Sequence, residues 1–143
     1  ARQARQMGLN VALMGGDGWD SEKLWEIGGK AMNNSYFSNH YSPDDTSASH
    51  QKAFLDAYKA RWNKMPNGLG AMGYDAGKVL IDAMQRAKTL AGNDIRDAIA
   101  ATKDYQAVTG KITIDQNRNP IKSAVVLEVK DGSFVFKDRV DPI

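Results

Sequence analysis

Apolar positions along the chain change their period twice, and each change marks a different kind of element. Residues 11–14 (Val-Ala-Leu-Met) form a short continuous apolar run ending at Gly15, the pattern of a buried strand. Asp20 and Ser21 then read as N-caps of a short helix carrying Leu24, Trp25 and Ile27, stopped by Gly28 and Gly29. Tyr36 and Phe37 make a second apolar segment. Strand, glycine loop, helix and strand compose a parallel α/β unit, whose ligands gather beyond the carboxyl ends of the strands. Further on the period becomes helical. Phe54, Tyr58 and Trp62, with Leu55 and Met65, predict one helix that ends at Pro66, Asn67 and Gly68. A second is predicted over 72–88, with Leu80, Met84 and Ala87 on one side and Ile81 beside them. A third starts at a natural cap, Asn93 and Asp94, and buries Ile95, Ala98 and Ile99. No strand is predicted between these helices, so they are expected to pack on strands supplied from elsewhere. The strand pattern returns at the end of the chain: residues 111–114 read as a strand and 115–120 as a turn. Apolar runs at 124–129 and 134–136 flank Asp131 and Gly132, a strong hairpin signal.

At 143 residues the chain is long enough for one domain with a sizeable core. The formal charge of +2 is small and the basic residues are interspersed with acids, which argues against a nucleic-acid partner. No run is long enough to span a membrane. The absence of cysteine removes disulfides and thiolate chemistry. No signal-peptide pattern is read within residues 1–143. Residues 1–8 read as the last turns of a helix with Gly8 just past its end, so the chain is expected to be a fragment of a longer protein.

The candidate chemistry lies in residues 15–21 (Gly-Gly-Asp-Gly-Trp-Asp-Ser). Three glycines let backbone approach a ligand, Asp17 offers a charge, and Trp19 offers a flat apolar surface. A tight turn with two capping acids accounts for the same composition equally well. Other motif matches fail on context. Gly68, Gly70 and Gly73 match the dinucleotide fingerprint in letters, but a helix, not a strand, is expected before them. Asp115, Asn117 and Asn119 open like a calcium loop, yet Pro120 replaces its glycine and Val126 its glutamate. His40 and His50 have no second ligand type nearby, so no metal is expected. Asn33-Asn34-Ser35 is a glycosylation sequon by pattern only. No Ser/His/Asp order or paired acids in an apolar setting suggests catalysis, and no cofactor is expected.

Residues 3–10 (Gln-Ala-Arg-Gln-Met-Gly-Leu-Asn), the 15–21 loop and 34–42 (Asn-Ser-Tyr-Phe-Ser-Asn-His-Tyr-Ser) together resemble the branched-chain amino-acid binding proteins of bacterial ABC importers. Gly73-Tyr74-Asp75-Ala76 at the start of a helix and 108–115 (Val-Thr-Gly-Lys-Ile-Thr-Ile-Asp) are similar in order and spacing. The resemblance covers essentially the whole chain. It implies an α/β fold of the type I periplasmic binding protein class: two flavodoxin-like lobes, joined by three crossing strands, that close on an amino acid. Only the C-terminal part, roughly 40% of a chain of more than about 250 residues, is expected here. Residues 1–38 and 124–143 would then belong to the second lobe, and the helices of 39–123 to the first. The second crossing is expected near 38–41 and the third near 122–126. Carried over by the resemblance, Asp17 is the acid that receives the ligand's α-ammonium group, with Gly18 and Trp19 beside it. Trp19 departs from the smaller residues some members have there. Leu69, with Gly70 and Ala71, falls where the family places an apolar wall of the side-chain pocket. The implied partners are an amino acid, a membrane permease and the missing N-terminal half. The implied location is periplasmic or extracytoplasmic and membrane-anchored. A sensory ligand-binding domain of the same fold is the alternative, and a flavodoxin-like enzyme a more distant one.

The isolated 143 residues are expected to lack strands over the apolar faces of Phe54, Trp62, Leu80 and Ile99, and so to aggregate or pair with a second body. A cooperative, monomeric unfolding transition of this chain alone, measured by denaturant titration and sedimentation, would contradict that expectation.

Overall fold

The computed structural model describes residues 1–45 and 51–142. Two bodies of secondary structure are visible, and the chain passes between them. The first opens with α1 (Arg2–Gln6), ended by Gly8 at φ +83°, and β1 (Leu13–Gly15). A single turn of 3-10 helix at Asp17–Trp19 leads to α2 (Glu22–Gly28) and, after a second such turn, to β2 (Ser35–Asn39). The second body holds α3 (Gln51–Trp62), α4 (Gly68–Arg86) and α5 (Gly92–Ala100), then β3 (Tyr105–Ala107), β4 (Gly110–Ile114) and β5 (Pro120–Ile121). The chain returns to the first body as β6 (Ala124–Lys130) and β7 (Ser133–Val140).

The main sheet has the order β1-β2-β6-β7. β1 and β2 run parallel, as the strand–helix–strand pattern predicts, while β6 lies antiparallel to β2 and β7 antiparallel to β6. Alternation decides which face is buried: Phe37 on β2 and Val125, Leu127 and Val129 on β6 point to one side. Met32 joins them, and Trp19, Leu24, Trp25, Phe134 and Phe136 pack around the cluster. Phe37 is the hub, edge-on to Phe134 at 5.0 Å between ring centroids and tilted against Trp19 at 6.4 Å. Asp131 and Gly132 turn the β6–β7 hairpin with φ values of +46° and +86°, the left-handed pair such a two-residue turn requires. Asn33 locks that turn to the start of β2. Its Nδ2 donates to Asp131 Oδ1 at 3.0 Å, and its Oδ1 accepts from the Asp131 N–H at 2.9 Å.

In the second body, Tyr41, Phe54, Ala71 and Val108 form one buried cluster, and Val79, Ala107 and Ile112 another. α4 packs on α5 and β3.

Several expectations are corrected. The run at 11–14 is not a buried strand: β1 starts at Leu13, lies at the sheet edge, and leaves Val11 and Met14 exposed. The second helix starts at Gly68, not 72, because Asn67 caps it by accepting from the Gly70 N–H at 2.9 Å. Its buried face is Ala71, Asp75, Val79 and Ala83, spaced by four, whereas Leu80, Ile81 and Met84 are exposed. Ala71 packs with Tyr41, Phe54 and Val108, and Val79 with Ala107 and Ile112. Trp62 and Met65 are likewise exposed, while Phe54 is buried. α5 starts at Gly92 without a side-chain cap, and Asp94 instead accepts a hydrogen bond from the Thr89 hydroxyl. Among the described residues no strand falls between α3, α4 and α5, as expected, but β3, β4 and β5 after them form a three-stranded sheet, of which only β4 is evident from periodicity. β3 has three residues and β5 two, too few to reveal a period.

Phe37→Ala in the complete gene product is expected to cost about 3–5 kcal/mol, the range for emptying an aromatic core position. Ile27→Ala, on the exposed face of α2, is expected to stay within about 0.5 kcal/mol. Denaturant unfolding of both variants checks the contrast.

Candidate functional site

The glycine loop singled out in the sequence lies at the carboxyl end of β1. Gly15 is there because of Trp19: a Cβ at Gly15 would stand 2.3 Å from the indole Cε2. The loop therefore curls back over its own strand, and Trp19 sits half-buried on Phe37 rather than as a free surface. This curl turns Asp17 outward. Its side chain is more than half exposed, and Oδ2 lies 3.4 Å from His40 Nε2. Gly18 is exposed beside it. Leu69, in the first turn of α4, is 69% exposed. A groove of about 730 Å³ runs between the start of α2, the end of β2 and the α3–α4 connection, with Asp20, Tyr41, Tyr58 and Asn67 in its wall. Asp17, Gly18, Trp19 and Leu69 do not line it. The four expected ligand residues thus lie on outward surfaces or, for Trp19, in the core rim.

Asp20 is the residue whose role the local pattern conceals. It does not cap α2. Ser21 does, accepting from the Lys23 N–H at 3.2 Å. Asp20 Oδ2 instead accepts from the Gly68 N–H at 2.6 Å and from Asn39 Nδ2 at 3.0 Å. Asn39 Oδ1 in turn accepts from the His40 N–H at 2.8 Å. Through these bonds the Asp17 loop, the end of β2 and the first turn of α4 meet at one carboxylate. Gly68 must be glycine for that meeting, since a Cβ would lie 2.6 Å from Asn39 Oδ1 and 2.9 Å from Asp20 Oδ2.

Behind this point the connections between the bodies are polar and buried. Asn39 pairs with Val125, so the segments around 39 and 125 run side by side. Lys122 Nζ donates to the His40 carbonyl at 3.1 Å. Arg139 grips Asp45, with Nε donating at 2.9 Å. Asp75, only 3% exposed, accepts from the Val108 and Thr109 N–H groups at 2.8 Å each, anchoring the middle of α4 to the segment before β4. Burial pushes the Lys122 ammonium down to about 8; the Asp75 carboxylate opposes the fall and the Arg139 guanidinium adds to it. Burial also raises the Tyr41 phenol above its ordinary value, with Asp44 and Asp20 contributing.

This arrangement offers an acid at a strand's carboxyl end and an exposed apolar residue in the first turn of α4. A model of the family described as periplasmic binding protein matches residues 1–133. The chain belongs to that family. It is 28% identical over 114 residues to the Leu/Ile/Val-binding protein BraC3 of Rhizobium johnstonii, covering 79% of this chain and 30% of that protein. Its fold is similar to that of the leucine binding protein LivK of Thermotoga maritima, with a TM-score of 0.91 and 41% identity over 99% of this chain and 40% of that one. The substrate binding protein LivJ of Streptococcus pneumoniae, solved in complex with isoleucine, is similar at a TM-score of 0.83 and 33% identity, covering 98% of this chain and 40% of that one. This periplasmic binding protein chain therefore spans less than half the length of these relatives, and its fold is the type I class expected from the resemblance.

Two refused motifs also have their explanation. Gly68, Gly70 and Gly73 lie inside α4 with no strand before them. Asp115 Oδ1 accepts from the Asn117 and Asn119 N–H groups, at 2.8 and 2.7 Å, which makes a side-chain-supported turn. Among the described residues no group of His, Cys, Asp or Glu could hold a metal ion, and no helix is long and apolar enough to cross a membrane. His50 lies outside the described residues. Asp20, Asn39 and Asp75 were missed as cross-connecting residues. The Asn67 cap is the one local signal that marks where α4 begins.

Lys122 predicts a pH dependence. With its folded value near 8 and its unfolded value near 10.5, the unfolded chain binds more protons between those limits. The Lys122 contribution to stability therefore rises with pH from about 8 to 10.5, and the cost of burying its charge is fully present below 8. Thermal melts of the complete gene product and its Lys122→Met variant check this: the wild type is expected to gain on the variant as pH rises through that window.

Proposed function

We propose that this chain is part of the solute-binding component of an ABC importer, which captures an amino acid between two hinged lobes and delivers it to a membrane permease. The observation that carries the reading is the likeness in fold and sequence to a protein solved with isoleucine bound, combined with an outward-facing acid at the carboxyl end of β1. A branched-chain or other apolar amino acid is the proposed ligand, and the proposed location is extracytoplasmic, periplasmic or membrane-anchored. Residues 1–38 and 124–143 would form part of the second lobe and 39–123 part of the first, a division supported by separate buried clusters and by the adjacency of Asn39 and Val125.

In this mechanism Asp17 receives the α-ammonium group of the ligand. Gly18 lets the backbone come close, and Trp19 contributes by holding the loop in its curl. Leu69 offers apolar contact from α4. The groups for the ligand carboxylate would come from the stretch of the relatives that this chain does not span. Closure of the lobes excludes water, which strengthens the ammonium–carboxylate pair.

Asp17→Ala in the complete gene product is expected to cost about 2–5 kcal/mol of binding to L-leucine or L-isoleucine, because closure leaves the ammonium buried without its partner. Asp17→Asn is expected to recover part of this, since an amide oxygen accepts a hydrogen bond but does not neutralise the charge. Asp56, an exposed acid on α3 paired with Lys52, is the control, with an expected change within about 0.5 kcal/mol. Calorimetric titration decides the matter, and near-normal affinity in Asp17→Ala would refute the assignment.

A further inference from the structure

The carboxylate of Asp20 is the point where three separate pieces of chain are tied together. It follows the Asp17 loop in the first body, yet its hydrogen bonds go to Asn39 at the end of β2 and to Gly68, the first residue of α4 in the second body. We infer that Asp20 is a positioning residue for ligand capture: its bond to the Gly68 N–H is the contact that holds the ligand loop closed against α4. This inference rests on the reading of the protein as a two-lobed amino-acid binder and adds to it a residue that does not touch the ligand.

Four observations support it. The Gly68 bond spans 48 positions in sequence and is short at 2.6 Å, with a carboxylate oxygen as acceptor. The donor is one of the free N–H groups at the start of a 19-residue helix, where a negative charge is favoured. Asn39 and Asp20 fill the space over Gly68 so closely that no Cβ fits without moving one of them. Finally, Gly68 adjoins Leu69 and Asp20 lies three residues after Asp17, so the bond sits beside both proposed ligand contacts. A contact that exists only when the two bodies are together lowers the free energy of the closed form. It leaves the encounter of ligand with the open form untouched. Its loss is therefore read in the rate of ligand release and not in the rate of capture.

The test uses the complete gene product and L-leucine or L-isoleucine as probe, with stopped-flow association and dissociation and a thermal melt of each ligand-free variant. Asp20→Ala is expected to raise koff at least about tenfold with kon within about threefold. Gly68→Ala attacks the same contact from the other side and is expected to do the same. Asp20→Asn keeps an oxygen acceptor without the charge and is expected to fall between Asp20→Ala and wild type. If Asp20→Ala does not fold, the Asn variant and Gly68→Ala carry the test. A wild-type koff in Asp20→Ala or Gly68→Ala overturns the inference. So does an affinity loss that appears in kon alone or that tracks a fall in ligand-free stability. Failure of the unsubstituted protein to bind either amino acid overturns the functional reading instead, and is distinguished by that wild-type measurement.

Discussion

The pairing of β2 with β6 is the constraint on which the rest of the first body depends. Five residues of β2 lie in register with five of β6, from Ser35 against Val129 to Asn39 against Val125, across some ninety positions of chain. Among the described residues β1 has no strand neighbour except β2, and β7 none except β6. Without the central pair there is no sheet, and Phe37 has no Val125, Leu127 or Val129 to pack against. A slip of one residue would turn Phe37 to the opposite face, so the apolar alternation enforces the register. Polar groups fix it at both ends. Asn33 and Asp131 exchange two hydrogen bonds at one end, and Lys122 holds the His40 carbonyl at the other.

The same pairing brings the two inter-body connections side by side, and this explains why charge is buried there. Backbone leaving a sheet edge exposes carbonyl and N–H groups that need partners. Side chains supply them: Lys122 to the His40 carbonyl and Asn39 to the adjacent His40 N–H, while inside the second body Asp75 takes two successive N–H groups before β4. Lys122 to the His40 carbonyl and Asp20 to the Gly68 N–H reach across from a different segment, so directional bonds join the bodies at these points. Each body keeps its own buried cluster, around Phe37 in the first and around Tyr41 and Phe54 in the second.

The site follows from this frame. The sheet sets the carboxyl end of β1, Trp19 folds the glycine loop over that end, and Asp17 is left facing outward while Asp20 faces α4. Two acids three residues apart thus receive opposite tasks because the turn between them is a single helical one. Trp19, attractive in sequence as a ligand surface, also packs on Phe37 and is half-buried.

What was legible in the sequence was whatever a few neighbouring residues decide by their own conformational limits. Asp131 and Gly132 impose a hairpin because both adopt positive φ. Ser21 begins a helix and Gly29 ends it, Gly8 ends another, and alternation in β6 names its buried face. The set of such local motifs, in order, was enough for the family and the α/β class. Short strands such as β3 escaped, having too few residues for a period. The inner face of α4 was misassigned because the helix presents Ala71, Val79 and Ala83 to close neighbours and leaves its larger Leu80 and Ile81 outside. Hydrophobicity ranks residues by their preference for burial, but packing distance decides which of them fit. The partner of Asp20 was likewise a tertiary decision. A carboxylate before a helix is a cap by local rule, and only the fold could bring a stronger, charge-favouring N–H from α4 within 2.6 Å of it.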